Sequence, residues 1–216
     1  KPSAHCEAKT YTGSSSAVSV TGLGFKPDMV WHKDRSEAHA FGIYDSSRGI
    51  KRWLKGSAAT SENGNDAGAV IDAALTSFDT NGFTIANMSS DPIGNKNGNY
   101  FRSWTWKANG GTTASNSDGS ITSTVQANTT AGFSIVQWTG TGANATIGHG
   151  LGVAPKFVIV KNRSAGHDWG VYHGSTITTS DTETDYMSLN TASNNADDNT
   201  FWNDTKPTSS VFSVGT

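Results

Sequence analysis

Four residue types able to handle a charged sugar recur together in this chain. Lys33, Arg35, His39 and Tyr44 reappear as Lys161, Arg163, His167 and Tyr172 after a shift of 128 positions. A Lys or Arg neutralises a uronate carboxylate, and a His with a Tyr supplies base and acid, which is what a polysaccharide lyase needs. The same recurrence has a structural reading. Tyr44 and Tyr172 alternate inward with apolar neighbours, and Arg35 and Arg163 are spaced to bond carbonyls of the adjoining turn. Duplicated modules keep a core and its turns but seldom keep two equal active sites. No catalytic residue is therefore assigned, and no depolymerising activity is expected.

Other chemistry is thin. Glycoside hydrolysis needs paired carboxylates, and Glu7, Glu37, Glu62 and Glu183 do not recur at matched positions. His149, His167 and His173 lack zinc spacing on one element. Asp79–Gly82 and Asn95–Asn99 resemble pieces of calcium loops, but the terminal acidic ligand is missing, and turn chemistry explains them. No nucleophile elbow, P-loop or dinucleotide fingerprint is present, so neither metal nor cofactor is expected. Five Asn-x-Ser/Thr sequons, at Asn87, Asn128, Asn144, Asn162 and Asn203, are near chance in so Asn-, Ser- and Thr-rich a chain. Sugars also bind on exposed aromatic rings flanked by hydrogen bonders. Trp53 and Trp202 lie among polar loop residues and are the candidate ligand-binding rings. Trp104 and Trp106 sit in a regular strand and are expected in the core.

The elements that would position these residues are also repeated. Gly22–Tyr44 and Gly150–Tyr172 align without a gap, sharing Gly22/Gly150, Leu23/Leu151, Gly24/Gly152, Pro27/Pro155, Val30/Val158, Ser36/Ser164 and Gly42/Gly170 besides the four pairs above. A tandem duplication follows. Each copy reads as a Gly-Leu-Gly turn, a Pro at a strand start, and a buried strand (Met29–Trp31, Phe157–Val160). A polar turn (Lys33–Ser36, Lys161–Ser164) and a second strand (Phe41–Tyr44, Trp169–Tyr172) complete it. Earlier strands are expected at Glu7–Tyr11 and Ala17–Val20, matched by Phe133–Trp138 and Asn144–Ile147. Later ones are Trp53-Leu54, matched by Tyr186–Leu189, and a strand–turn–strand at Ser77–Ile85, matched by Phe201-Trp202 and Val211–Val214. Residues 55–74 read as loop, including the Ala-rich run Ala67–Ala74.

Copy one closes with Tyr100–Lys107, in which Phe101 and Ser103 face one way and Tyr100, Arg102, Trp104 and Trp106 the other. Copy two ends without a counterpart. The expectation is a gap in the second copy's sheet, as in a fragment of a longer protein, with the slot open or filled by Ile121–Val125 or a neighbouring molecule's strand. The domains expected are residues 1–107, a Gly/Ser/Thr/Asn-rich linker at 108–119, and residues 120–216.

Only 16% of residues are charged, while Gly numbers 24 and Trp seven. Few charges, many small polar turn formers and many aromatics give an all-β expectation of extracellular or virion type. Net charge is −2 without a basic patch, which argues against nucleic acid; Lys51-Arg52 is a lone pair. One cysteine, Cys6, allows no internal disulfide. No apolar run nears membrane-spanning length, so membrane insertion is not expected.

TYTG at 10–13, GLGFKPDMVW at 22–31, YDSSRG at 44–49, LTSFDTNGFTI at 75–85 and the stretch from Trp104 to Ser164 together resemble the tandem modules of tail-fibre and related virion proteins of bacteriophages, many of them marine. The resemblance covers nearly the whole chain. It implies two β-sandwich repeats, jelly-roll or concanavalin-like, displayed on a particle. It also implies host-surface glycans and other virion chains as partners, and self-association as a trimer. A phage depolymerase of lyase or hydrolase type is the alternative.

Overall fold

The computed structural model describes residues 1–50, 52–62, 75–86, 94–175, 185–192 and 196–216. Lys51, Ala67–Ala74, Asn87 and Glu183, singled out above, lie outside them. The described residues are nearly all β, arranged in five antiparallel sheets. They form two compact units: unit 1 is Lys1–Gly111 with Asn162–His167, and unit 2 is Thr112–Lys161 with Asp168–Thr216. Among the described residues no helix is long and apolar enough to cross a membrane.

Unit 1 contains β1 (Cys6–Thr12), β2 (Val18–Val20), β3 (Met29–Asp34), β4 (Gly42–Asp45), β5 (Leu54–Lys55), β6 (Leu75–Asp79), β7 (Gly82–Ile85) and β8 (Tyr100–Trp106). They make a five-stranded sheet in the order β1-β8-β3-β4-β5 and a three-stranded sheet β2-β7-β6. One core cluster draws Val30 and Tyr44 from the larger sheet and Val20, Leu75, Phe83 and Ile85 from the smaller, with Leu23 and Trp53 from loops. Pro27 precedes β3, where its missing N–H breaks no ladder.

Unit 2 contains β9 (Ala114–Asn116), β10 (Ser123–Asn128), β11 (Phe133–Gln137), β12 (Ala145–Gly148), β13 (Phe157–Val160), β14 (Gly170–His173), β15 (Asp185–Ser188), β16 (Ala196–Asp197) and β17 (Val211–Val214), with one helical turn, α1 (Asn199–Trp202). The sheets are β11-β10-β9, β12-β17 and β13-β14-β15-β16. Pro155 stands just before β13. Gly22 and Gly150 adopt φ of 84° and 69°, a left-handed turn that explains a glycine at the start of both aligned stretches.

The two hairpins pair alike. Val30 faces Tyr44 and His32 faces Gly42 across β3–β4; Val158 faces Tyr172 and Val160 faces Gly170 across β13–β14. The register is the same after the 128-residue shift. Other expectations need correction. β3 continues through Lys33 and Asp34, read above as turn, because β8 pairs with both. β13, which pairs with β14 alone among the described residues, stops at Val160. Phe201-Trp202 is not a strand: the Asp198 side chain accepts the Thr200 N–H at the N-terminus of α1. The stretch 108–119 is not all linker, since the units divide after Gly111 and β9 pairs with β10.

Two buried histidines mark how differently polar groups are treated. In unit 2, His149 receives the Leu151 N–H on Nδ1 at 3.2 Å and donates from Nε2 to the Thr208 carbonyl at 3.2 Å. In unit 1, His32 on β3 is fully buried beside the Tyr44 ring, and neither ring nitrogen has a partner among the described residues. Burial lowers its pKa from 6.5 to about 4. Between those values the unfolded chain binds a proton that the folded chain refuses. Stability therefore falls as pH drops from about 6.5 toward 4, by up to roughly 3 kcal/mol. Urea unfolding between about pH 7 and pH 5 should show this decline, and His32→Leu should flatten it; an unchanged slope in the variant would contradict the assignment.

Candidate functional site

The loop after β3 is organised by one carboxylate. Asp34, at the strand's end, is 1% exposed. It accepts the amides of Ser36 at 2.8 Å and Glu37 at 3.3 Å, Asn99 Nδ2 at 2.7 Å and His39 Nδ1 at 3.0 Å. Burial pushes its carboxyl up, but the hydrogen bonds from His39, Asn99 and the two amides together outweigh that and hold it below its usual range. His39 Nε2 faces Glu37 Oε2 at 3.2 Å, and Glu37 is held by Lys96. The Lys96 hydrogen bond is the main reason that the Glu37 carboxyl lies below its usual range.

The recurring set does not converge here. Lys33 donates to the carbonyls of His39 at 2.6 Å and Glu37 at 3.4 Å, so it fills the turn-bonding role expected of Arg35. Arg35 is exposed, and its backbone N–H binds the Tyr100 carbonyl. Tyr44 points into the core at 1% exposure. In the second set, Asn162 replaces Asp34 and accepts the equivalent amide bonds, from Ser164 at 2.9 Å and Ala165 at 3.1 Å. Arg163, in unit 1, binds Glu62 Oε2 at 2.8 Å. Burial lowers the Lys161 pKa against the opposing pull of Asp168. His167 is exposed, and Tyr172 is buried against Trp202 in unit 2. Glu62 also ties down the buried Arg48, which binds Asp45 and the Ile43 carbonyl, so this carboxylate is structural.

The exposed rings lie elsewhere than expected. Trp53 and Trp202 are 5% and 3% exposed and close over core residues. The outer side of β8 instead carries Tyr100 at 61% and Trp104 at 37% exposure, with Arg102 between them. The inner side carries Phe101, Ser103 and Thr105, all fully buried. Ser103 and Thr105 place their hydroxyls on the β1 carbonyls of Lys9 and Glu7. Strand alternation therefore turns the Trp residues outward.

Register builds a platform from that row. Trp104 stands opposite Trp31, Arg102 opposite Lys33 and Trp106 opposite Met29. Phe41 stacks on Trp31 with centroids 5.1 Å apart, and Trp106 lies 6.4 Å from Trp31. The Arg102 guanidinium sits 5.9 Å from the Trp104 ring. Across β1, Ala8, Thr10 and Thr12 are small and leave the rings uncovered on that side. Asp45, the carboxylate opposite Met29, is already bound by Arg48. The face is thus aromatic and cationic, suited to the C–H face of a pyranose with an acidic substituent. The signal was in the sequence: an Arg within the Trp row marks that row as the wet side of β8.

Asp34→Ala strands four donors and should lower unfolding free energy by about 3 kcal/mol, whereas Asn162→Ala, losing two amide bonds, should cost about 1 kcal/mol. Chemical denaturation of the two variants checks the difference; equal costs would remove the special role given to Asp34.

Among the described residues, no cluster of three or more His, Cys, Asp or Glu is placed to hold a metal ion. No curated protein and no solved structure matches the chain. A family model described as a domain of unknown function, DUF7483, matches residues 1–216, and the chain belongs to that family.

Proposed function

We propose that the chain is a non-catalytic glycan-binding module of a particle-surface protein, of the phage tail-fibre type, built from two tandem β-sandwich repeats. The observation that carries the binding role is the outer face of β8 and β3, where Trp104, Trp31 and Trp106 lie beside Arg102. Rings and cations together favour saccharides bearing carboxylate or sulfate over neutral ones. The shared hairpin register supports the duplication. A core drawn from two sheets supports the sandwich. The particle, the virion partners and a trimeric state rest on the motif resemblance.

A glycan-active lyase or hydrolase is the second reading, favoured by the bond between His39 and the buried Asp34. Two features weaken it. Tyr44 is enclosed in the core, and Lys33 is committed to backbone carbonyls.

Binding of the purified chain to uronate-bearing, sulfated and neutral oligosaccharides tests the proposal. Acidic glycans should bind, and Trp104→Ala and Arg102→Ala should each weaken binding about tenfold, a loss near 1.4 kcal/mol. Binding should weaken as salt rises. No binding, or binding indifferent to both substitutions, would remove the role from this face. New reducing ends or unsaturated products that vanish in His39→Ala or His167→Ala would establish the enzyme instead.

A further inference from the structure

β13 consists of four apolar residues, Phe157, Val158, Ile159 and Val160, and none of them is buried. Its equivalent by the 128-residue shift, β3, alternates between buried and half-buried positions, with Val30 fully buried. The two strands face their hairpin partners in the same register, so the difference lies on the other edge. There β3 is paired along its whole length with β8. Among the described residues, β13 pairs with β14 alone. Its second edge presents a row of main-chain N–H and C=O groups beside apolar side chains. Phe157 remains 53% exposed, and Val153, just before the strand, 58%. None of the usual protections of an edge, a charge, a proline or a bulge, interrupts the four residues.

We propose that the free edge of β13 receives an antiparallel strand from a protein other than a second copy of this chain, and that this strand has the chemistry of β8. The occupant is defined by the pairing that the equivalent edge already shows. Met29, Trp31 and Lys33 face Trp106, Trp104 and Arg102, while Val30 and His32 face Thr105 and Ser103. Transferred to β13, an aromatic residue stands opposite Phe157 and another opposite Ile159. Small hydroxyl residues stand opposite Val158 and Val160. The incoming segment therefore alternates bulky aromatic with Ser or Thr. Its main chain completes the ladder, and its side-chain alternation sets register and selectivity. This surface is separate from the aromatic face of β8, and its occupant is a peptide rather than a saccharide.

A synthetic peptide copying residues 99–107, added to the intact chain, is the probe, with a scrambled peptide of the same composition as control. Expected are saturable equimolar binding by calorimetry and slowed amide hydrogen exchange centred on Val158–Val160. Phe157→Lys, a change at an exposed position, should weaken binding about tenfold while leaving the thermal midpoint unchanged. Failure to bind, equal binding of the scrambled peptide, protection elsewhere, or indifference to Phe157→Lys would each overturn the proposal. So would concentration-dependent self-association of the chain alone that protects the same amides, since the occupant would then be a second copy.

Discussion

Unit 1 depends on a strand bonded along both edges. β8 pairs with seven residues of β1 on one side and six of β3 on the other, joining the beginning of the chain to its first hairpin. Long-range ladders of this kind close large loops, so the cost in chain entropy is met only when the whole strand docks. Much local structure follows from it. β3 is long because β8 is there to pair with Lys33 and Asp34. The loop beyond is shaped by the same segment, through Asn99 on Asp34, the Tyr100 amide on Ser36 Oγ and the Tyr100 carbonyl on the Arg35 amide. After β13, which pairs with β14 alone among the described residues, the matching loop has Asn162 in place of Asp34, accepting the amides of Ser164 and Ala165.

The hairpin that the two aligned stretches share was legible in the chain. The Gly-Leu-Gly turns, the prolines ahead of each strand and the two hairpins can be read from residue types alone, because local sterics fix them. The two sides of β8 were also readable from alternation. What could not be read depended on distant partners. Trp53 and Trp202 sit among polar residues yet are buried, because a large ring on a loop can fold back over a core whose position adjacent residues do not reveal. Trp202 does so from a capped helical turn, its ring set edge-on to Tyr172. β9 is made of Ala, Ser and Asn, poor strand formers, and exists because β10 offers it main-chain partners. Trp104 was assigned inward for being Trp in a strand, although Arg102 beside it pointed the other way.

The polar interior shows the same contrast between local and distant control. Asp34 is a short-range device, an Asx-type cap that any chain could place, reinforced by one remote side chain, Asn99. The Arg48–Glu62 cluster is different. A buried guanidinium is tolerable only when several acceptors meet it, and here Asp45, Glu62 and a carbonyl do so. Burial would depress the Arg48 pKa, but the attraction of Asp45 and then Glu62 raises it overall. These charged groups have the look of catalytic residues in a list, yet each is occupied in holding a turn.

Cys6 begins β1 on the outer side of the five-stranded sheet, opposite Trp106. It is exposed and is the only thiol in the chain. A maleimide dye would therefore attach at one known place, at the border of the aromatic face, with no engineered cysteine. Partial burial pushes the thiol pKa up, so less of it is thiolate at neutral pH and labelling runs faster in mildly alkaline buffer. The nearby indoles can quench or donate to such a dye, which makes the wild-type chain its own optical reporter for whatever settles on that side of the sheet.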